Sequence, residues 1–318
     1  MNNYFTNRSQ KGWWHKAKRI LKERSYRFSA LDQLGFYNHM PDKIYLEKKF
    51  NALMGYNLLL DMPKTFNEKL QWLKLYDQKP EYTIMVDKYA VRSYIADRLG
   101  EEYLIPLLGV WEEPFEIDFT KLPDRFVLKC NHNSGLGMCI CRDKSKLNLK
   151  NVKKKLIKGI KQDYYLTGRE WPYKNVPRRI IAEQYMEDTD LKELRDYKFF
   201  CFNGKVKCFK VDFGRFIEHH ANYYDLENNM LPFGEIGCPP RLDVNIQIPK
   251  SINKMIKLAE ILSREIPFLR VDFYDIDGRI YFGEMTFFPD SGFGKFTDEN
   301  WDRMFGTWIR LPGRDSGE

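Results

Sequence analysis

The sequence FLRVDFYDIDGRIYFGEMTFFPDSGFG, residues 268–294, contains two runs rich in aromatic and β-branched residues on either side of Asp277-Gly278. Such runs around an Asp-Gly pair are typical of a β-hairpin. Asp272 lies on the first predicted strand and Glu284 on the second. Two carboxylates on neighbouring strands can share a hard cation such as Mg²⁺, which prefers oxygen ligands and keeps coordination positions for phosphate.

The register of this hairpin decides whether the two carboxylates share a face. A two-residue loop would place them on opposite faces. A three-residue loop, residues 276–278, pairs Asp275 with Arg279 and places Asp272 and Glu284 diagonally on one face. That face would also carry Arg270, Ile280, Phe282 and Thr286, and the core face would carry Val271, Phe273, Tyr281 and Met285. We expect this second register; the alternative is a half-buried hairpin whose acids only pair with neighbouring Lys or Arg.

Composition restricts the class of protein. The chain has 318 residues, of which 43% are hydrophobic and 30% charged, as in a globular protein with a full core. The sequence shows no apolar run of about 18 residues and no signal-peptide pattern, so a membrane span and secretion are not expected. The six cysteines show no CxxC or metal-finger spacing, and reduced thiols in the cytoplasm are therefore expected.

The formal charge of +8 is concentrated near the start of the chain. Residues 8–27 contain eight Lys or Arg and one acidic residue, Glu23, with tryptophans and other apolar residues between them. A helix of this composition would bind an anionic membrane surface, which predicts peripheral attachment to the inner face of the cell membrane. The alternative is an ordinary solvated helix packed on the domain. Nucleic acid is not an expected partner, because no finger, RNP or helix-turn-helix signature accompanies the charge.

A polar loop between two predicted strands is a candidate phosphate site. The sequence RFVLKCNHNSGLGMCIC, residues 125–141, places Lys129 just before a loop that contains Gly135 and Gly137. Small and polar residues let backbone N–H groups surround a phosphate, and a nearby lysine adds fixed charge. The loop is not a Walker A motif, because no Gly-Lys-Ser/Thr opens a helix. The alternative is a hairpin connection that is only flexible.

Helices are predicted from periodicity, capping and proline signals. Residues 32–61 look helical, and Thr65 with Glu68 predicts a capping box that starts a helix over residues 66–77. A helix is also predicted over residues 83–99, with Asp87-Lys88 on its first turns. The lysine-rich helix predicted over residues 147–165 is interpreted as a solvated face. Further helices are predicted over residues 248–265 and 299–309.

Strands are predicted between these helices. A short buried strand ends at Glu183, and residues 196–213 form a hairpin with Asn203-Gly204 as a type I′ turn. Two-residue pairing would set Phe202 against Lys205 and Lys198 against Phe209. His219 and His220 follow, and adjacent histidines on a strand point to opposite faces, which is more typical of structural or exposed residues than of a site.

The order of these signals is more specific than any of them alone, and it resembles the ATP-grasp superfamily of carboxylate–amine ligases. The phrases KTFNEKLQWLKLYD, VDKYAVRSYI, LPDRFVLKCNHNSG and RVDFYDIDGRIYFGEMTFFP resemble its TupA-like branch, tied to bacterial teichuronopeptide and surface-polysaccharide biosynthesis. The resemblance covers roughly residues 40–312 and implies an α+β fold, with two α+β subdomains clasping a nucleotide. It divides the chain into a basic helical arm (1–62), a family domain (63–312) with a lid-bearing part (about 83–182) and a metal- and acceptor-site part (about 183–312), and a disordered tail (313–318).

The resemblance also implies residues that bind the nucleotide. Lys129 and Lys198 resemble the two basic residues that hold its phosphates, and Lys198 is expected to act in catalysis as well. Glu183, with the backbone of Gln184 and Tyr185, is similar to the hinge that meets adenine and ribose. The mobile loop that closes over the γ-phosphate corresponds to Asn133, Ser134 and Gly135.

At the metal step the resemblance assigns Asp272 and Glu284 as Mg²⁺ ligands. Arg270 resembles the catalytic cation that stabilises the acyl-phosphate and the tetrahedral oxyanion. Many ATP-grasp enzymes have Glu-x-Asn here, whereas this chain has Glu284-Met285-Thr286. The third ligand is therefore expected to be Asp290 or water.

The implied activity is amide-bond formation at the cost of ATP. A carboxylate takes the γ-phosphoryl group, and an amine attacks the acyl-phosphate; this chemistry needs positioning and charge neutralisation more than a protein nucleophile. The expected cofactors are ATP and Mg²⁺. The expected partners are a carboxylate-bearing saccharide or peptide precursor of a surface polysaccharide and an amine donor.

Two other readings stay open at this point. A glycosyltransferase using a sugar nucleotide could hold its metal with the D-x-D of Asp275 and Asp277, or with Asp188-Thr189-Asp190, although turns favour Asp for their own geometry. A non-catalytic, membrane-associated binding protein is suggested by Thr286 and the basic arm. The presence of Lys129, Lys198, Asp272 and Glu284 argues against that loss of activity.

Overall fold

A computed structural model of the chain describes residues 22–188, 194–214 and 218–313. The helices are α1 (Arg24–Gln33), α2 (Asp42–Met54), α3 (Phe66–Tyr76), α4 (Glu81–Val86), α5 (Val91–Arg98), α6 (Leu149–Ile160), α7 (Tyr164–Gly168), α8 (Ile252–Leu262) and α9 (Asn300–Trp308). The strands are β1 (Leu107–Trp111), β2 (Phe126–Cys130), β3 (Cys139–Cys141), β4 (Ile180–Gln184), β5 (Asp196–Phe202), β6 (Lys205–Phe213), β7 (His220–Tyr224), β8 (Phe268–Ile276) and β9 (Arg279–Thr286). Within these ranges no helix is long and apolar enough to cross a bilayer.

The described strands form two antiparallel sheets. The first sheet has the order β1-β4-β2-β3, and the second has the order β7-β6-β5-β8-β9. Helices cover both sheets, so the predicted α+β class is confirmed. The subdomain boundaries at about residues 83, 183 and 312 stay predictions.

The first sheet packs one face against α6. Val152 and Leu156 of α6 are buried in one cluster with Phe126 and Leu128 of β2 and with residues of β4. Alternation along the strands then turns Lys129 of β2 to the opposite face. The sheet therefore has a helix-covered side and a side that carries polar groups.

The second sheet uses its two faces differently. Phe199, Val271 and Phe273 lie in the main core, where Cys201 contacts Ala259 of α8. On the opposite face, Phe202 and Phe268 pack against Phe66 of α3 and Phe305 of α9 at one end. Because side chains alternate, the other end of that face carries Lys198, Arg270 and Asp272.

Three predicted helices differ from the observed ones. The helix predicted over residues 32–61 is α2, preceded by Pro41 and closed by Gly55 at φ 92°. The helix predicted over residues 83–99 is broken at residues 87–90, because the Asp87 carboxylate accepts the backbone N–H of Tyr89. The lysine-rich segment predicted over residues 147–165 divides into α6 and α7.

The helix predicted over residues 66–77 agrees with α3. Its capping box is present: Thr65 accepts the Glu68 backbone N–H, and the Glu68 side chain accepts the N–H of Thr65. The capping signal therefore fixes where this helix begins.

The register predicted for the β8–β9 hairpin is wrong. Ile276 pairs with Arg279 across a two-residue loop, and Asp277 and Gly278 have φ values of 52° and 80°. A bulge then shifts the register between Asp272 and Phe273, where Gly283 is the extra residue on β9. Asp272 and Glu284 consequently lie directly opposite each other, not diagonally.

The bulge also changes which apolar residues share the acidic face. Ile280 and Phe282, predicted beside the acids, lie in the main core with Val271, Phe273 and Met285. Tyr281, predicted in that core, lies in a separate small cluster with Ile105 and Ile276. The predicted faces are therefore wrong for the residues between the turn and the bulge. They are right for Val271 and Met285, on the other side of the bulge.

The β5–β6 hairpin shows the same kind of difference. The Asn203-Gly204 turn has positive φ at both residues and pairs Phe202 with Lys205, as predicted. A bulge between Phe200 and Cys201 then sets Lys198 opposite Lys210, not opposite Phe209.

Candidate active site

The carboxylates of Asp272 and Glu284 are joined by one arginine. Arg270 donates from Nε and Nη2 to the two oxygens of Asp272, both at 2.7 Å. Its Nη2 also lies 3.0 Å from Glu284 Oε1 and 3.0 Å from the Thr286 hydroxyl. Asp272 is buried, whereas the Glu284 side chain remains 42% exposed. The arginine thus holds an inner and an outer carboxylate side by side.

Lys198 extends this charge network across the sheet. It lies opposite Asp272 in the register, with its Nζ 4.0 Å from Asp272 Oδ2. The same Nζ lies 2.6 Å from Asp212 Oδ2, and His219 Nε2 lies 3.3 Å from that oxygen. Sequence analysis missed Asp212, because the predicted pairing without a bulge set Val211 opposite Asp196, whereas Asp212 lies there in the structure. His219 is close to the network and His220 is not, since His220 bonds the Pro239 carbonyl.

Residues of both sheets line a common cleft. Lys129 and Glu183 from the first sheet, Glu284 from the second and Lys88 from the α4–α5 turn line the same cleft. Lys129 Nζ lies 2.6 Å from Glu183 Oε2, and Arg92 lies 3.6 Å from the other oxygen. The structure therefore brings together the predicted Lys129, Glu183 and Glu284.

Lys88 lines the site, although the sequence analysis noted it only as part of the Asp87-Lys88 pair and gave it no role there. It is fixed by the helix break at Asp87, whose carboxylate accepts from Asn131 Nδ2 at 2.7 Å. Lys88 Nζ donates to the Asn133 carbonyl at 2.6 Å. Burial lowers the pKa of Lys88, although Glu284 opposes the effect. The Asp-Lys pair was visible in the sequence, but the turn that aims the lysine was not.

The predicted phosphate loop has a buried part and an exposed part. Asn133 is buried and donates from Nδ2 to the Gly159 carbonyl of α6 at 3.1 Å. Ser134 and Gly135 are exposed. A Cβ atom at Gly159 would lie 2.7 Å from the Gly137 Cα, so two glycines allow the loop to rest on α6. The Asn133 side chain therefore anchors the loop.

The predicted hinge residues lie where β4 ends. The backbone N–H of Gln184 donates to the Pro106 carbonyl at 3.0 Å. The Tyr185 ring lies 4.3 Å from the Arg125 guanidinium, in a cation–π contact. Glu183 lines the cleft, so this one hinge residue is placed beside Lys129.

Helix α3 holds the loop that follows β9. Asn67, Gln71 and Lys74, spaced along one buried face of α3, donate to backbone carbonyls of the loop. Gln71 Nε2 lies 2.6 Å from the Gly292 carbonyl, and Lys74 Nζ lies 2.7 Å from the Ser291 carbonyl. Three consecutive residues of this loop, Asp290, Ser291 and Gly292, have positive φ. The phrase KTFNEKLQWLK therefore supplies the donors that hold a strained loop beside the acid pair.

The pKa values of the two carboxylates shift in opposite directions. Burial would raise the pKa of Glu284, but Arg270, Lys88 and Lys198 lower the pKa below its ordinary value. Burial raises the pKa of Asp272 despite Arg270 and Lys198. Asp290 lies within reach of the charges of Arg270 and Lys198, and burial raises its pKa. Glu284 is thus the outer, readily ionised group of the site.

No group of three or more His, Cys, Asp or Glu side chains in the described ranges could hold a metal ion. Of the D-x-D residues, Asp275 accepts from the Ser251 hydroxyl and from the Gly278 backbone N–H, and Asp277 is a turn residue. Thr189 and Asp190 of the second D-x-D lie outside the described residues, as do residues 8–21 of the basic segment and residues 314–318 of the tail. The hydrogen bonds of Asp275 and the turn conformation of Asp277 therefore account for these two acidic residues in structural terms.

Comparison with known proteins places the chain in a family. A family model described as TupA-like ATPgrasp matches residues 68–310. Among solved structures, D-alanine–D-alanine ligase from Bacillus anthracis complexed with ATP is 16% identical with a TM-score of 0.38, over 64% of this chain and 53% of that chain. D-Alanine–D-alanine ligase from Helicobacter pylori is 11% identical with a TM-score of 0.41, over 77% and 69%.

A third solved structure, phosphoribosylamine–glycine ligase from Thermotoga maritima, is 15% identical with a TM-score of 0.39, over 65% of this chain and 48% of that chain. The chain thus spans about half the length of the Bacillus anthracis and Thermotoga maritima enzymes. No curated protein matches the sequence.

Proposed function

The chain belongs to the TupA-like ATP-grasp family, and we propose that it is an ATP-dependent carboxylate–amine ligase. One observation carries the proposal: Glu284, which Arg270 joins to Asp272, lines the same cleft as Lys88, Lys129 and Glu183. Two cations in a cleft suit a polyphosphate, and a carboxylate in its wall with a second carboxylate beside it suits a metal that neutralises the polyphosphate.

In this proposal the nucleotide lies between the two sheets. Lys129 and Lys88 neutralise its phosphates, and Glu183 binds the ribose end together with the backbone of Gln184 and Tyr185. Ser134 and Gly135, which are exposed at the tip of their loop, cover the γ-phosphate. The anchored Asn133 keeps the base of that loop in place.

The acid pair fits Mg²⁺ in the manner of phosphate-bound magnesium. Mg²⁺ commonly takes one or two carboxylates and completes its shell with phosphates and water. Asp272 and Glu284 would supply two carboxylates from adjacent strands. When bound, the metal would neutralise the phosphoryl oxygens. Asp290 or water would complete its shell.

The protein groups act by position and charge. Arg270, held by two carboxylates, remains cationic and is aimed at the site, where it stabilises negative charge that develops on the acyl group. Lys198 is the second cation on the same face and stabilises the transferred phosphoryl group. The γ-phosphoryl group passes to a substrate carboxylate, and an amine then displaces phosphate to form the amide. No protein nucleophile is required.

We propose a carboxylate-bearing saccharide or peptide precursor of a bacterial surface polysaccharide as the acceptor, with an amine as the second substrate. This follows the family's association with surface-polysaccharide biosynthesis. We place the protein at the inner face of the cell membrane, where residues 8–27 add an anionic-lipid contact.

The test measures binding and turnover in the same protein. ATP with Mg²⁺ should raise the melting temperature, since ligand at about 100 times its Kd stabilises by roughly 2.7 kcal/mol. Saccharide carboxylates with amines should give phosphate release and hydroxylamine-trapped acyl-phosphate. Glu284→Gln should abolish turnover and keep the fold, whereas Glu260→Gln, which alters a surface pair with Lys205, should change neither.

A shift with a UDP-sugar and Mn²⁺ but not with ATP would overturn the ligase and favour a glycosyltransferase. If ATP raises the melting temperature but Glu284→Gln keeps full turnover, the assignment of Glu284 to the metal site is wrong and the ligase activity still stands. No shift with either nucleotide would favour a binding protein.

A further inference from the structure

Helix α6 presents a stripe of lysines on its outer face. Val152, Leu156 and Gly159 are buried against the first sheet. At 100° per residue, the lysines at positions 150, 154, 158 and 161 fall within a narrow arc on the opposite side. All four are exposed, and they extend for about 16 Å along the helix axis.

This arrangement is unfavourable for the isolated chain. Lysines at spacings of four, four and three residues repel one another, because side chains at these spacings are neighbours on a helix. Lys150 also lies in the first turn, where the helix dipole disfavours a cation, and that turn has no acidic residue. Within the described residues, the side chains of Lys150, Lys154 and Lys158 form no hydrogen bond or ion pair. Repulsion between these lysines destabilises the helix when water alone surrounds it. An anionic partner would remove this repulsion, so the stripe is suited to bind one.

Apolar side chains border the stripe on one side. Phe115 is 69% exposed, and Lys153 Nζ lies 5.6 Å from its ring centre. Leu149, one turn before Lys153, is 43% exposed. Exposed aromatic and aliphatic groups beside cations are what a lipid surface accommodates, since the apolar groups enter the headgroup region while the cations meet phosphates.

The position of the stripe leaves the cleft open. Helix α6 covers the sheet face that carries Phe126 and Leu128, whereas Lys129 and Glu183 line the cleft on the other face. A partner bound to the outer side of α6 would therefore not obstruct a nucleotide.

We propose that the outer face of α6, with Lys150, Lys154, Lys158 and Lys161 and the apolar rim of Phe115 and Leu149, docks on an anionic phospholipid surface. This surface belongs to a different segment of the chain from residues 8–27. It does not depend on the ligase activity, because the lysines of the stripe lie on the side of the sheet away from the cleft.

The experiment compares vesicles of phosphatidylcholine alone with vesicles that also contain phosphatidylglycerol. The full chain should cosediment only with the anionic vesicles, and added salt should release it. Replacing Lys150, Lys154 and Lys158 by Gln should weaken binding about 100-fold, since each lysine near an anionic surface adds about a fivefold gain. The matched control replaces three exposed lysines elsewhere, Lys48, Lys207 and Lys257, by Gln with the same change in net charge.

Phe115→Ser should also weaken binding to anionic vesicles, and less than the triple lysine variant. The proposal is overturned if the control triple weakens binding as much as the α6 triple, because binding would then follow net charge. It is also overturned if duplex DNA binds at lower protein concentrations than the vesicles do, which would make nucleic acid the partner. ATP turnover, where present, should be the same in the α6 triple and the wild type.

Discussion

Asp272 lies directly opposite Glu284, although the turn between their strands contains only two residues. Without a bulge, such a turn would place Glu284 opposite Val271 and on the far face of the sheet. Gly283 is the extra residue that restores the shared face. A Cβ atom at Gly283 would lie 3.0 Å from the Asp272 carbonyl oxygen, so the bulge is tight as well as necessary.

We expect Gly283→Val to reduce ATP-dependent turnover by at least about tenfold, because its branched side chain displaces β9 from Asp272 and misplaces Glu284. Phosphate release, measured with ATP and Mg²⁺, checks this. The control is Gly278→Ala, where the added Cβ meets no neighbour and the cost is only the strain of φ 80°. Equal loss of turnover in both variants would show that general destabilisation, not register, is responsible.

The extent of sequence-based prediction differs between elements for physical reasons. Local signals fixed α3, through its capping box, and the Asn203-Gly204 turn, through its need for positive φ. Neither bulge was predicted. Whether a strand contains an extra residue depends on how side chains pack on both faces of the sheet, and local sequence does not show this. The acids were still placed on one face, but by a three-residue loop that the structure does not have. Lys88 was missed because its direction depends on Asn131, 43 residues along the chain from it.

We expect Arg270→Met to destabilise the fold by about 3–5 kcal/mol at neutral pH, since the buried Asp272 carboxylate loses both bonds to Arg270 and keeps only the longer contact with Lys198 at 4.0 Å. The variant should regain stability as the pH falls. Burial raises the pKa of Asp272 above that of the unfolded chain, so the folded state takes up protons first as the pH falls. Urea denaturation at pH 5 and pH 8 measures this.

Arg241→Met provides the comparison for Arg270→Met. Arg241 makes the same two-bond contact with Asp243, at 2.9 and 2.8 Å, but this pair is largely exposed. Its removal should cost no more than about 1 kcal/mol. A similar small cost for Arg270→Met would contradict the buried network described here.

We expect Lys88→Met to weaken ATP binding by about 10- to 100-fold, the range for a hydrogen bond to a charged group. The lysine lines the cleft and also holds the Asn133 carbonyl, so the variant loses both phosphate charge and loop support. Isothermal titration with an unhydrolysed ATP analogue checks the affinity. Lys79→Met, which removes a lysine over the Tyr82 ring, should leave the affinity unchanged; an equal loss there would indicate a non-specific charge effect.

The contact of Lys74 with the Ser291 loop predicts an unusual pH dependence of stability. Burial lowers the pKa of Lys74 to about 7, and Glu170, which faces it, opposes this shift, whereas Lys49 adds to it. Between about pH 7 and 10 the unfolded chain therefore binds a proton at this amine that the folded chain has released. The free energy of unfolding must then rise with pH across this window.

We accordingly expect the melting temperature of the wild type to rise, relative to Lys74→Met, as the pH increases from 7 to 10. Below pH 7 both states keep the proton, and the difference should be constant. Lys69→Met is the control for the loop contact on the same helix, because Lys69 donates to the Ile309 carbonyl, which lies outside the loop. Hydrogen exchange should also show faster opening of residues 289–294 in Lys74→Met and not in Lys69→Met. A pH-independent difference between wild type and Lys74→Met would mean that the amine is charged throughout, with Glu170 as its ionised partner.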